Sequence, residues 1–215
     1  KKLLNCFKMI FKKERKEVAK IMRRLYAQGL TTSSGGNVSF KNENGFVFIT
    51  ASQTDKSCIK WKDIIVFDDN KNNITPKLKP SMESGMHLKI YETRKDISAI
   101  VHSHPVYASS YAVAGSIPNT ALTGEASLLL GKISLSEYEL MGTEKLAVEV
   151  ANKLQDTDVC IMKNHGAISI GKSLFEAFDK MEVLEFVCHL NINSLILNKV
   201  NKLSPEQIQE INKSF

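Results

Sequence analysis

Three of the five histidines of this chain lie in two short apolar segments, 100–107 and 164–166. Residues two apart on a β-strand point to the same face, so His102 and His104 can aim both imidazoles at one point. His165 can complete a set of three nitrogen ligands, which is typical of a catalytic zinc site with an open position. Metal-assisted chemistry is therefore the leading hypothesis, and a pair of exposed strand histidines is the alternative.

A carboxylate is the expected further ligand or proton carrier at such a site. Glu83 is the best candidate, because it lies in the first turn of a helix predicted to begin at Ser81. The alternative is that Glu83 is only a favourable charge at a helix N-terminus. His87, flanked by apolar residues, is interpreted as a core histidine or as a partner of a ligand. His189, in an apolar helical segment, is interpreted as structural.

Three polar turns offer donors to an anion. Ser34 and Asn37 belong to a Ser/Gly-rich loop with unhindered backbone N–H groups. Ser52 begins a second polar turn, which also contains Lys56. Ser81 stands at the predicted helix N-terminus, where free N–H groups stabilise phosphate. Each turn alone is a weak signal, but together they predict an anion site.

Short strands and helices alternate along the chain. The apolar spacing predicts a helix over 13–28, helices over about 81–94, 143–154, 173–198 and 205–213, and a short helix after Pro105. Strands are predicted over 37–40, 46–49, 64–67, 97–102, 158–163 and 167–170. Several strands are joined by tight turns, which favours a mainly antiparallel sheet covered by helices.

The length, the charge distribution and the cysteine pattern of the chain limit the classes of function that it can have. The 215 residues suit a single domain, predicted over 13–215, after a basic N-terminal extension over 1–12. The net charge is +6, but residues 1–24 hold ten of the 29 basic residues and only two of the 23 acidic ones. The remaining body is near neutral, so nucleic-acid binding is not expected. No apolar run approaches the ~20 residues of a membrane span, no signal peptide is apparent, and the scattered cysteines favour the cytoplasm.

Six motifs, in this order, resemble the class II aldolase/adducin family, and the resemblance covers roughly residues 15–195. The motifs are Ser34-Gly35-Gly36-Asn37-Val38-Ser39, Ile49-Thr50-Ala51-Ser52, Lys79-Pro80-Ser81-Met82-Glu83, Met86-His87-Leu88, Ala99-Ile100-Val101-His102-Ser103-His104-Pro105 and Asn164-His165-Gly166.

The resemblance implies an α/β fold of three αβα layers around a mainly antiparallel sheet, in a homotetramer with sites at subunit borders. It implies Zn²⁺ or another divalent metal on His102, His104, His165 and Glu83, with Glu83 alternating between ligand and proton carrier. Sugar-phosphate contacts are implied at the residues Ser34, Asn37, Ser52 and Ser81. The implied reaction is reversible aldol cleavage of a ketose phosphate, of the fuculose-phosphate aldolase type.

Some residues depart from the family pattern. Gln53 and Met82 stand where the family often has glycine and a second serine, which bears on the phosphate contacts. No tyrosine follows Tyr138, so the second proton donor is open, with candidates at Tyr107, Tyr111, Tyr138 and Glu125. The alternatives are a sugar-phosphate epimerase, a methylthioribulose-phosphate dehydratase and a non-enzymatic adducin-like interaction module. The presence of all four candidate metal ligands argues against the interaction module.

Overall fold

A computed structural model describes residues 11–214 of the chain. Seven α-helices lie in this part of the chain: α1 Lys12–Ala27, α2 Ser84–Thr93, α3 Val106–Ala114, α4 Gly124–Leu130, α5 Glu144–Lys153, α6 Leu174–Ile196 and α7 Pro205–Ser214. The strands are β1 Asn37–Lys41, β2 Val47–Thr50, β3 Ile64–Phe67, β4 Ala99–Ser103, β5 Ile133–Ser136, β6 Val159–Met162 and β7 Gly166–Gly171.

The seven strands form one sheet in the order β3-β2-β1-β4-β7-β6-β5. Every neighbouring pair is antiparallel except β5 and β6, which are parallel. The prediction of a mainly antiparallel sheet is therefore confirmed. Strand β4 lies at the centre, and His102 near its end is paired with Asn37 on one side and with Ile168 on the other.

Helices cover both faces of the sheet, as the three-layer prediction requires. Alternate residues of a strand point to opposite faces, so Ile100 and Val101 belong to separate hydrophobic clusters. The cluster of Val101 packs α1, α3, α4 and α6 against one face. The cluster of Ile100 packs α2 and α5 against the other. This burial anchors β4 rigidly between two apolar layers.

Three predicted details differ from the structure. Helix α2 begins at Ser84 rather than at Ser81, because the Ser84 N–H donates to the Ser81 carbonyl at 3.1 Å and closes a turn first. Glu83 therefore precedes the helix instead of lying in its first turn. Met82, expected on the apolar helix face, is 66% exposed. Helix α4 and strand β5 were not predicted, since their residues show no clear period.

The predicted boundary at residue 12 stays a prediction, because residues 1–10 lie outside the described part of the chain. Lys12 is the first residue of α1, and helix α1 ends before Gly29, whose φ of 70° suits the predicted stop. Among residues 11–214, no helix is long and apolar enough to cross a membrane.

Replacing Ile100 by alanine tests the central position of β4. Ile100 is fully buried, so the Ile100→Ala variant should lose about 2–5 kcal/mol of unfolding free energy in urea denaturation. Ile196→Ala removes the same atoms from a side chain that is 76% exposed, and it should change stability by less than about 0.5 kcal/mol. Equal losses in the two variants would contradict the described packing.

Candidate active site

The end of β4 and the turn before β7 bring the three predicted histidines together. His102 lies in β4, His104 follows its last residue, and His165 precedes β7, which pairs antiparallel with β4. The ring centroid of His102 lies 4.8 Å from that of His104 and 4.9 Å from that of His165. Each residue offers one ligand atom, and these atoms all lie within 4.8 Å of one another. The sheet register therefore assembles the cluster.

Two glycines allow this close approach. A Cβ atom at Gly166 would lie 2.5 Å from His104 Cδ2 and 2.6 Å from the Ser103 carbonyl oxygen. Gly36 has a φ of 66°, and a Cβ there would lie 2.7 Å from the His102 carbonyl oxygen. Larger side chains at either position would displace the histidine backbone.

A hydrogen bond fixes the orientation of the His102 ring. Its Nδ1 lies 2.9 Å from the Ala167 carbonyl oxygen, which can only accept, so Nδ1 carries the proton. The Nε2 atom then presents a lone pair to the cluster. This arrangement is typical of histidines that bind metals.

Glu83 closes the cluster from the opposite side. Its Oε1 lies 2.9 Å from His165 Nε2, and its Oε2 lies 3.1 Å from His102 Nε2. The amide Nδ2 of Asn37 donates to Oε2 at 2.7 Å and orients the carboxylate. Burial acts to raise the pKa of Glu83, but the charge interactions with His102 and His165 outweigh it, so the pKa is held well below its usual range.

The cluster fits a divalent cation. His102 Nε2, His104 Nε2 and Glu83 Oε1 are buried, and in the described part of the chain none of them has a hydrogen-bond partner of acceptable geometry. Buried polar atoms are normally satisfied, so three such atoms in one place indicate a missing shared partner. Burial, together with His102 and His165, lowers the pKa of His104 to about 3, which leaves a neutral imidazole. Neutral imidazoles and a carboxylate are suitable ligands for such a metal.

A cavity of about 310 Å³ opens beside this cluster. Five of the six motifs contribute residues to its wall; Met86-His87-Leu88 contributes none, and the buried His102 does not line it. The lining residues are Ser34, Gly35, Gly36, Asn37, Ser52, Gln53, Lys56, Ser81, Met82, Glu83, His104, Met141, Asn164 and His165. The four predicted phosphate contacts thus lie around one space with Glu83 and two of the histidines. Their roles stay predictions.

The other singled-out residues lie elsewhere. His87 is buried, with Nδ1 2.7 Å from Ser39 Oγ, and burial lowers its pKa to about 3. The ring of His189 stacks on that of Tyr107 with centroids 3.8 Å apart. Within the described chain, none of the candidate proton donors lines the cavity: Tyr107, Tyr111, Tyr138 and Glu125. The second proton donor therefore has no assignment within the described chain.

Sequence reasoning missed two features of the site. The hydrogen bond from Asn37 to Glu83 was not expected, since Asn37 was assigned to phosphate. Lys56 was recognised only as part of a polar turn, yet its side chain is buried against the cavity. The sequence signal for Lys56 was its position in the same polar turn as Ser52. Whether a lysine is buried depends on tertiary packing, which the local sequence does not show.

The fold and the site define an α/β protein with a candidate metal centre beside a cavity lined by serine hydroxyl groups and a buried lysine. The profile of the family described as "Class II Aldolase and Adducin N-terminal domain" matches residues 16–192. An L-fuculose phosphate aldolase of Methanocaldococcus jannaschii is 37% identical over 186 residues, which cover 86% of this chain and 99% of that protein. A 5-deoxy-D-ribulose 1-phosphate aldolase of Bacillus thuringiensis is 29% identical, covering 96% and 97%.

A solved structure of an L-fuculose 1-phosphate aldolase has the same fold. It superposes with a TM-score of 0.86 at 31% identity, covering 94% of this chain and 96% of that one. The chain belongs to the class II aldolase and adducin family, and it is an enzyme of the class II aldolase type. The family and fold expected from the motifs are confirmed.

Removal of one imidazole tests the metal site. The His102→Ala variant should lose most of its bound divalent metal, because two imidazoles and one carboxylate remain where four ligands converge. Metal content per protomer, measured by inductively coupled plasma mass spectrometry, gives the result. His189→Ala is the matched control, since His189 packs against Tyr107. Equal metal content in both variants would contradict the assignment.

Proposed function

We propose that this enzyme carries out divalent-metal-dependent, reversible aldol cleavage of a ketose 1-phosphate. The products are dihydroxyacetone phosphate and an aldehyde, as in fuculose-phosphate aldolases, and Zn²⁺ is the proposed metal. The observation that carries the proposal is the convergence of His102, His104, His165 and Glu83 beside a cavity rimmed by anion-binding donors. Two relatives whose names specify aldolases of different sugar phosphates support the reaction type and leave the sugar open.

An imidazole binds a metal in its neutral form, so a cation held by His102, His104 and His165 would keep its full charge. Such a cation polarises a carbonyl group and stabilises negative charge that develops on its oxygen. His102 is held in the required tautomer by the Ala167 carbonyl. The histidines therefore contribute position and neutrality rather than proton transfer.

Glu83 is the proposed proton carrier. Cleavage requires a proton to leave the hydroxyl group of the future aldehyde and a proton to reach the carbon that remains with dihydroxyacetone phosphate. The ionised carboxylate of Glu83 can accept a proton, and Oε1 is not engaged in a hydrogen bond within the described chain. When substrate oxygens displace Glu83 from His102 and His165, the interactions that lower its pKa are lost and its basicity rises.

The serines and glycines that line the cavity form the proposed phosphate site. Ser34, Ser52 and Ser81 offer hydroxyl donors, and the absence of side chains at Gly35 and Gly36 leaves the backbone of that loop open to the cavity. Asn37 links Glu83 to Ser81, because its Nδ2 lies 2.7 Å from Glu83 Oε2 and 3.4 Å from Ser81 Oγ. A phosphate bound there would hold the rest of the sugar against Glu83.

We also propose a homotetramer with sites at subunit borders. Three apolar side chains near the cavity are more than half exposed: Met82, Leu140 and Met141. Contiguous exposed apolar surface is typical of protein interfaces. The second proton donor can then come from a neighbouring subunit. A cytoplasmic location is proposed because Cys58, Cys160 and Cys188 are free thiols.

The proposed reaction is tested with a panel of ketose 1-phosphates. Release of dihydroxyacetone phosphate is monitored in a coupled assay, in which a dehydrogenase reduces the released product. Fuculose 1-phosphate and 5-deoxyribulose 1-phosphate are the first substrates, and at least one should release the product. Interconversion of pentulose phosphates without this release would establish an epimerase instead, and loss of water from a methylthio-sugar phosphate would establish a dehydratase.

The Glu83→Gln variant tests the proton carrier. It should keep most of its metal, because three imidazoles remain, but lose turnover by about 10²–10⁴-fold, because an amide cannot accept the proton. Metal content and initial rates are measured on the same preparation. Glu43→Gln makes the same change in an exposed hairpin turn and should keep full rate. Full activity in Glu83→Gln would refute the role.

A further inference from the structure

Lys56 is a buried cation without a carboxylate partner. Its side chain is 2% exposed, and no carboxylate of the described chain lies within salt-bridge distance of it. The ammonium donates to the Ala51 carbonyl oxygen and to Thr54 Oγ1, each at 3.1 Å. Both acceptors are neutral, so the positive charge is not compensated. Buried ammonium groups are normally paired.

A second buried lysine of the same molecule has carboxylate partners, as is usual for a buried ammonium group. Lys180 is 6% exposed, and its Nζ lies 2.8 Å from Asp158 Oδ2 and 2.7 Å from Glu176 Oε1. Asp55, next to Lys56 in the chain, instead accepts hydrogen bonds from Ser57 at its backbone and hydroxyl groups. The charge of Lys56 therefore lacks the compensation that the charge of Lys180 receives.

Lys56 lies where an anion is expected. It lines the cavity with Ser34, Ser52 and Ser81, and its backbone N–H donates to the Ser33 carbonyl oxygen at 2.9 Å, which ties the two polar loops together. Burial lowers the pKa of Lys56 to about 8, so the unliganded protein holds the ammonium in an unfavourable environment. A bound dianion would supply the missing counter-charge.

We propose that Lys56 binds the phosphate group of the substrate and makes the cavity select phosphorylated over neutral sugars. The inference rests on the proposed function and adds a residue to it. Met82 stands where the family often has a second serine, so this chain offers no hydroxyl donor at that position. Lys56 would add a charged donor to the same cavity.

A purely structural role makes a different prediction. Lys56 then only fastens the turn through Ala51 and Thr54, and its replacement lowers stability without changing phosphate affinity. Lys56→Gln separates the two roles, because its amide can still donate hydrogen bonds but carries no charge. Lys56→Arg keeps the charge. Lys77→Met removes an exposed lysine outside the cavity and serves as the control.

Inorganic phosphate is the probe, and its affinity is measured by isothermal titration calorimetry on folded preparations of equal metal content. Lys56→Gln should bind phosphate at least about tenfold more weakly than wild type, since a charge-assisted hydrogen bond is lost. Lys56→Arg should retain most of the affinity, and Lys77→Met all of it. With an active ketose phosphate, Lys56→Gln should raise KM, and it should lower kcat/KM for the phosphorylated ketose by a larger factor than for the dephosphorylated ketose.

The outcomes distinguish this inference from the proposed function. Equal phosphate affinity in wild type and Lys56→Gln would overturn the role of Lys56 and leave the aldolase proposal intact. No phosphate binding by wild type would overturn the phosphorylated substrate as well. If Lys56→Gln does not fold, the Nζ resonance of wild-type Lys56 decides: phosphate should shift it and not that of Lys77, and an unshifted Lys56 signal would overturn the role.

Discussion

The central constraint is that three imidazoles and a carboxylate converge in a buried place where they cannot satisfy one another. His102 Nε2, His104 Nε2 and Glu83 Oε1 have no hydrogen-bond partner within the described chain, although the carboxylate lies close to two of the rings. A shared divalent cation would resolve this deficit. The sheet register, the glycine contacts and the Asn37 hydrogen bond all hold these ligands in place.

The cavity is lined by two kinds of polar group. The imidazoles and the carboxylate of Glu83 are suited to a metal and to proton transfer, whereas the hydroxyl groups and the uncompensated ammonium of Lys56 are suited to an anion. A substrate with a phosphate at one end and a carbonyl at the other matches this polarity.

Much of this arrangement follows from local patterns. The spacing of His102 and His104 on an apolar strand predicts convergent side chains, and the tight turns between strands predict an antiparallel sheet. Helix α4 and strand β5 escaped prediction, because Leu128, Leu129 and Leu130 form an unbroken apolar run and β5 depends on parallel pairing with β6. The position of Glu83 before α2 and the burial of Lys56 depend on contacts between distant segments, which local patterns do not contain.

X-ray absorption spectroscopy of the metal-loaded protein tests the central claim most directly. It reports the elements, number and distances of the ligands without reference to any substrate. The account predicts three imidazole nitrogens at about 2.0–2.1 Å from zinc, with oxygen ligands completing the shell. A first shell that contains sulfur, or a spectrum with fewer than three imidazoles, would contradict it.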